Sequence, residues 1–156
     1  MKKAICKIFA HFLYRGMKVL YKKDERVRKE IDAMPDNISF VLKYGIEDNA
    51  PFTKIEKTKD GLKKSKIIED DDIVITFKTL DLALKVMTGG KGLSTAYSEH
   101  DFTLRGSINE CMGFVRVVEI VMAHLLPKKM LRKILREVPE RKISLFSTYI
   151  LAIFGN

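Results

Sequence analysis

The sequence has no tryptophan, only two cysteines and four prolines, and no apolar run long enough to cross a bilayer. Cys6 and Cys111 stand 105 positions apart with no paired spacing, which excludes a disulfide framework and a cysteine-based zinc site. A reducing compartment is the expectation, hence a cytoplasmic chain that is at most peripheral at a membrane. The longest apolar tract, Ile143 to Phe154, has 12 residues against the roughly 20 a spanning helix needs. The first residues, Met1-Lys-Lys-Ala-Ile, look like a leader, but Lys7 and His11 interrupt the apolar run and no small-residue cleavage site follows. We read them as mature protein.

Catalytic constellations are equally scarce. His11, His100 and His124 are isolated, and there is no His-x-x-x-His, no Gly-x-Ser-x-Gly and no cysteine in a motif with histidine. Gly89-Gly90-Lys91-Gly92 lacks the Gly-Lys-Ser/Thr ending of a phosphate loop and follows a helical pattern instead of a strand, so it reads as a helix stop. Glu69-Asp70-Asp71-Asp72 has no calcium-loop spacing and reads as a hairpin tip. The expectation is a protein that is not an enzyme, with no cofactor and no metal.

What is present is a single core's worth of apolar residues: 46% of 156, with seven Met and nine Phe. Methionine is flexible enough to fill irregular gaps or to adapt to a ligand. The net charge of +9 is segregated, with +8 on residues 1 to 29, −4 on 30 to 126 and +5 on 127 to 142. Both basic ends are also amphipathic. Ile5, Ile8, Phe9, Phe12, Leu13, Val19 and Leu20 recur at helical spacing among Lys7, Arg15, Lys18 and Lys22. Met130, Leu131, Ile134, Leu135 and Val138 do so among Lys128, Lys129, Arg132, Lys133 and Arg136. No aromatic lies between 115 and 145 to stack on bases, which disfavours nucleic acid. An anionic membrane surface or a protein partner suits such helices, as does plain packing on the core with the cations in solvent. Lys7, Phe9, Phe12, Arg15, Lys128, Lys129, Arg132 and Lys133 are the candidate membrane contacts.

Between the ends, the turn Pro35-Asp36-Asn37 opens a central unit. The division is an N-terminal basic helical extension over 1–35, a core over 36–126 and a basic helical tail over 127–156. Ile38, Phe40, Leu42 and Tyr44 alternate with Ser39, Val41 and Lys43 as a strand, and Lys59-Asp60-Gly61 joins two weaker strands. Ile73, Ile75 and Phe77 make a fourth, Leu80 to Met87 a short helix, and Phe102 and Leu104 a fifth strand. Residues 108 to 125 form the most apolar helix, which is buried around most of its circumference or lines something apolar. This grouping predicts α+β, a five-stranded mainly antiparallel sheet with helices on one face.

The stretch Asp72-Ile-Val-Ile-Thr-Phe77, Leu80-Asp81, Met87-Thr88-Gly89, Ala96-Tyr97 and Phe102-Thr-Leu-Arg-Gly106, with Met112 beyond it, resembles the sterol carrier protein type 2 family. It departs at Glu99-His100, where the family commonly has Gly-Lys, and at Ser107, where the family has Asp or Asn. The resemblance implies a non-catalytic carrier holding an acyl, sterol-like or isoprenoid ligand in an apolar tunnel between sheet and helices. It further implies a lining drawn from Phe77, Leu84, Met87, Phe102, Met112, Val115, Val118 and Met122. The alternative is an accessory or scaffold protein, for example in isoprenoid quinone handling, that recruits a membrane or a partner and has no carrier cavity.

Overall fold

A computed structural model describes residues 1–70, 72–135 and 137–155, the side chains of residues 133 and 134 excepted. Two helices lead, α1 (Lys2–Lys23) and α2 (Glu25–Asp32). They are separate because Asp24 leaves helical geometry and caps α2, accepting the Arg26 N–H at 3.0 Å. Its carboxylate is buried and paired with the Arg26 guanidinium at 2.7 Å.

Strands β1 (Ser39–Lys43), β2 (Phe52–Thr58), β3 (Gly61–Ser65) and β4 (Ile73–Phe77) follow, then α3 (Leu80–Met87), α4 (Leu93–Ser98) and β5 (Phe102–Arg105). The chain ends in α5 (Ile108–Leu125), α6 (Lys128–Ile134) and α7 (Leu145–Phe154). The fold is α+β around a five-stranded sheet in the order β3-β2-β1-β4-β5. Every pairing is antiparallel except β1 with β4, which run parallel with Phe40 beside Ile73.

Local chemistry accounts for the joints. Gly61, at φ 119°, closes the β2–β3 hairpin opposite Thr58, a backbone angle that glycine adopts without strain. Thr79 caps α3 by accepting the Leu82 N–H at 3.3 Å. Gly89, at φ 72°, ends the helix, and Gly90 N–H returns to the Lys85 carbonyl at 2.7 Å.

The acidic stretch expected as a hairpin tip is instead part of the crossover from the edge strand β3 to β4, which has β1 and β5 as neighbours. Asp72 is drawn into the sheet, accepting the Glu69 N–H at 2.6 Å and pairing with buried Lys54 at 3.0 Å. Ser39 donates to the same carboxylate. Burial would raise its pKa, but these donors outweigh it and hold the carboxyl below the usual range. Asp71 lies outside the described residues.

One face of the sheet carries Phe40, Leu42, Ile55, Ile73, Ile75 and Phe77 into the core. Phe40 stacks on Phe114 of α5 with ring centroids 4.3 Å apart. The inner face of α1, with Cys6, Ala10, Leu13, Met17 and Leu20, joins that same core. At Gly16 the helices nearly touch: a Cβ there would stand 2.8 Å from Val121 Cγ1. The long N-terminal helix thus lies directly on α5.

Candidate apolar ligand site

The arrangement leaves an apolar cavity between sheet and helices. Leu42 of β1 and Phe77 of β4 form its floor, one inward position from each of two neighbouring strands. Val86 and Met87 of α3 and Leu93 of α4 supply one wall. Phe114, Val118, Met122 and Leu125 supply another with Leu126, because spacings of four, four and three keep them on one side of α5. Phe9 and Leu13, one turn apart on α1, close the remaining side. About 50 Å³ is open to the centre of a water-sized sphere. That space could admit water by size alone, yet no polar side chain lines it to hold one.

Of the lining residues that the resemblance implies, Phe77, Met87, Val118 and Met122 border this cavity. Phe102, Met112 and Val115 border a separate recess with Tyr97 and Leu104, about 90 Å³ in volume, and Met112 is exposed there. Leu84 borders neither and packs, half-buried, against the core. Phe9, Leu13, Leu42, Val86, Leu93, Phe114, Leu125 and Leu126 were not anticipated in the lining. Phe9 and Leu13 carry a usable signal, two large side chains four apart on an amphipathic helix. Leu42 and Phe114 cannot be told from core residues by spacing.

The candidate membrane contacts divide as well. Lys7, Lys128, Lys129 and Arg132 are exposed. Phe9 turns into the cavity, and Phe12 meets Tyr149 of α7 edge-on at 6.3 Å between centroids. Arg15 donates from Nε to the Ala152 carbonyl at 2.8 Å and from Nη2 to that of Gly155. It satisfies carbonyls that the end of α7 would otherwise leave bare. Lys133, Ile134 and Arg136 lie outside the described side chains.

Polar groups near the cavity are committed to holding the last segment onto α5. His124 is buried; its Nδ1 lies 2.8 Å from the Ile120 carbonyl and its Nε2 accepts the Lys142 N–H at 3.0 Å. That pattern requires the neutral ring with its proton on Nδ1, and burial lowers its pKa accordingly. Arg141 donates to the Ala123 carbonyl at 2.7 Å and Tyr149 to that of Leu125 at 2.5 Å. Both thiols are buried, and desolvation pushes Cys111 up to about 11, which leaves it a poor nucleophile. Among the described residues no group of His, Cys, Asp and Glu is placed to hold a metal, and no helix is long and apolar enough to cross a membrane.

No family model matches this sequence, and comparison with curated protein sequences gives no match either. Among solved structures the chain is similar to sterol carrier protein 2 like 2 from Aedes aegypti, at 13% identity, covering 63% of this chain and 94% of that one with a TM-score of 0.41. A TM-score this low decides neither the family nor the ligand.

Proposed function

We propose that this protein is a non-catalytic lipid carrier, taking an acyl, sterol-like or isoprenoid chain between the sheet and α3 and α5, and touching anionic membrane through its basic ends. The observation that carries the reading is the cavity whose every lining side chain is apolar and whose outer side is closed by Phe9 and Leu13 of α1. The resemblance around residues 72 to 106 adds to it.

Size decides how such a carrier would work. A pocket for a ligand of that class encloses roughly 300–1,000 Å³, whereas about 50 Å³ is open here. A ligand is therefore admitted only when Phe9 and Leu13 withdraw and give up the space they fill. That withdrawal falls to the part of α1 before Gly16 and must lift Cys6 and Ala10 from the core with it. Residues 1–5, Lys7 and Ile8 are exposed, Cys6 and Ala10 on its inner side are buried, and at Gly16 the helix is pressed against Val121 and Leu125.

The same small volume favours the second reading, an accessory or scaffold protein whose basic ends recruit a membrane or partner while the core stays closed. Titration with a fluorescent fatty acid separates the two. A carrier shows saturable uptake at one ligand per chain that a long-chain competitor displaces. A solid scaffold gives no enhancement above that of free dye, and such a result refutes the carrier.

A further inference from the structure

A cluster of exposed apolar side chains lies on α7, away from the cavity. The helix contains no charged residue. Its inner side is accounted for by buried Thr148 and Ala152 and by Tyr149, which meets α1 and α5. Its outer side carries Phe146, Ile150, Ile153 and Phe154, exposed by 74, 42, 52 and 79%. The spacings of four, three and one put these four on one stripe of the helix. A surface helix of a globular protein ordinarily shows polar side chains there, so the stripe calls for a covering partner.

The charge around the stripe restricts what that partner is. Helix α1 runs alongside, and Arg15, Lys18 and Lys23 border a recess of about 130 Å³ that Leu151 and Gly155 close from the α7 side. Lys142 is exposed just before the helix begins. No Asp or Glu occurs in residues 1 to 23, 127 to 135 or 141 to 155. An apolar stripe flanked on its α1 side by Lys18 and Lys23 is complementary to an anionic bilayer: the side chains enter the acyl boundary while the cations meet phosphates. A second copy of the chain would bring one cationic border against another, which opposes self-pairing. Ten residues make a helix of about 15 Å, too short to span, so it would lie in the interface.

We propose that the Phe146, Ile150, Ile153 and Phe154 face of α7 is the element that inserts into anionic lipid surfaces, with the lysines of α1 at the head groups. This deepens the carrier reading and rests on it for its purpose. The α1 helix that closes the cavity with Phe9 and Leu13 is the one α7 grips through Phe12 and Arg15, so docking of α7 acts on the lid.

The chain has no tryptophan, so Phe154→Trp in the full-length protein supplies a single reporter. Its emission should shift to the blue with vesicles of phosphatidylcholine mixed with phosphatidylglycerol, and stay unshifted with phosphatidylcholine alone. Phe146→Ser with Phe154→Ser should leave the far-ultraviolet circular dichroism spectrum unchanged, since both rings are largely exposed, and weaken vesicle binding roughly tenfold or more. Unshifted emission with both vesicle types overturns the proposal. So does an equal shift with both, or a stripe found to drive a dimer that the double variant dissolves. Fatty-acid uptake measured on the double variant keeps the readings apart. Lost vesicle binding with retained uptake supports α7 docking, whereas vesicle binding by a native chain that takes up no fatty acid refutes the carrier alone.

Discussion

Leu13→Ala probes the lid where the structure gives the clearest expectation. Leu13 is 8% exposed and its side chain borders a cavity of about 50 Å³. Leucine truncations in a core cost about 2.7–5 kcal/mol, rising by about 24 cal/mol for each Å³ of void that remains. Because the space across from Leu13 is already empty, little is in contact there to collapse into the new void, and the cost should lie within that range, about 3–5 kcal/mol. For a chain of this size about 1 kcal/mol is worth 2–4 °C in Tm, so the melt should fall by about 6–20 °C. If the enlarged cavity accepts an apolar chain, a ligand present at 100 times its Kd returns about 2.7 kcal/mol. Calorimetric melts with and without a medium-chain fatty acid measure both effects. A loss below about 1 kcal/mol would refute the packing of α1 described here. A full loss that no apolar ligand reverses would refute the cavity as a ligand site.

Val118→Trp should abolish fatty-acid uptake because Val118 lines the cavity, whereas Val115→Trp, facing the recess beside Met112, should leave uptake intact; fluorescence titration of both variants checks this, and equal behaviour contradicts the assignment. Gly16→Val should force α1 away from Val121 and cost about 1–3 kcal/mol as overpacking does; a melt indistinguishable from wild type would show that the helices do not cross there. His124 is held neutral by burial, its pKa lowered from 6.5. As pH falls below that value the unfolded chain binds the proton first, so stability drops between pH 6.5 and the lower folded pKa. His11 is shifted in the same direction, so the informative quantity is the reduction in pH slope on His124→Gln, read from denaturant melts across that window; an unchanged slope rules out the buried neutral ring.

The elements that could be read from sequence were those governed by short-range pattern. Alternation at Ile73, Ile75 and Phe77, the Asp60-Gly61 hairpin and the Gly89 stop each act through neighbours a few residues away, and they recur in the fold. The roles of Phe9 and Arg15 were not legible in that way. A basic amphipathic helix presents the same pattern whether its apolar side meets lipid or its own core, and only the tertiary approach at Gly16 turns Phe9 inward. Arg15 looks like a surface cation until α7 brings the carbonyls of Ala152 and Gly155 to it across more than 130 residues of chain. Asp72 misled for a related reason. Four acidic residues in a row suggest solvent, but the lysine that buries one of them, Lys54, comes from a different strand. The lining of the cavity was legible only in part, since a residue that borders a void and one that fills a core have the same chemistry.

The most direct test of the central claim is extraction of the freshly purified full-length protein with organic solvent, followed by mass spectrometry of the extract. A carrier yields a long-chain apolar molecule near one equivalent per chain, and Val118→Trp purified in parallel yields none. Equal traces from both proteins, or no apolar molecule from a natively folded wild type that also takes up none when it is offered, would contradict the account.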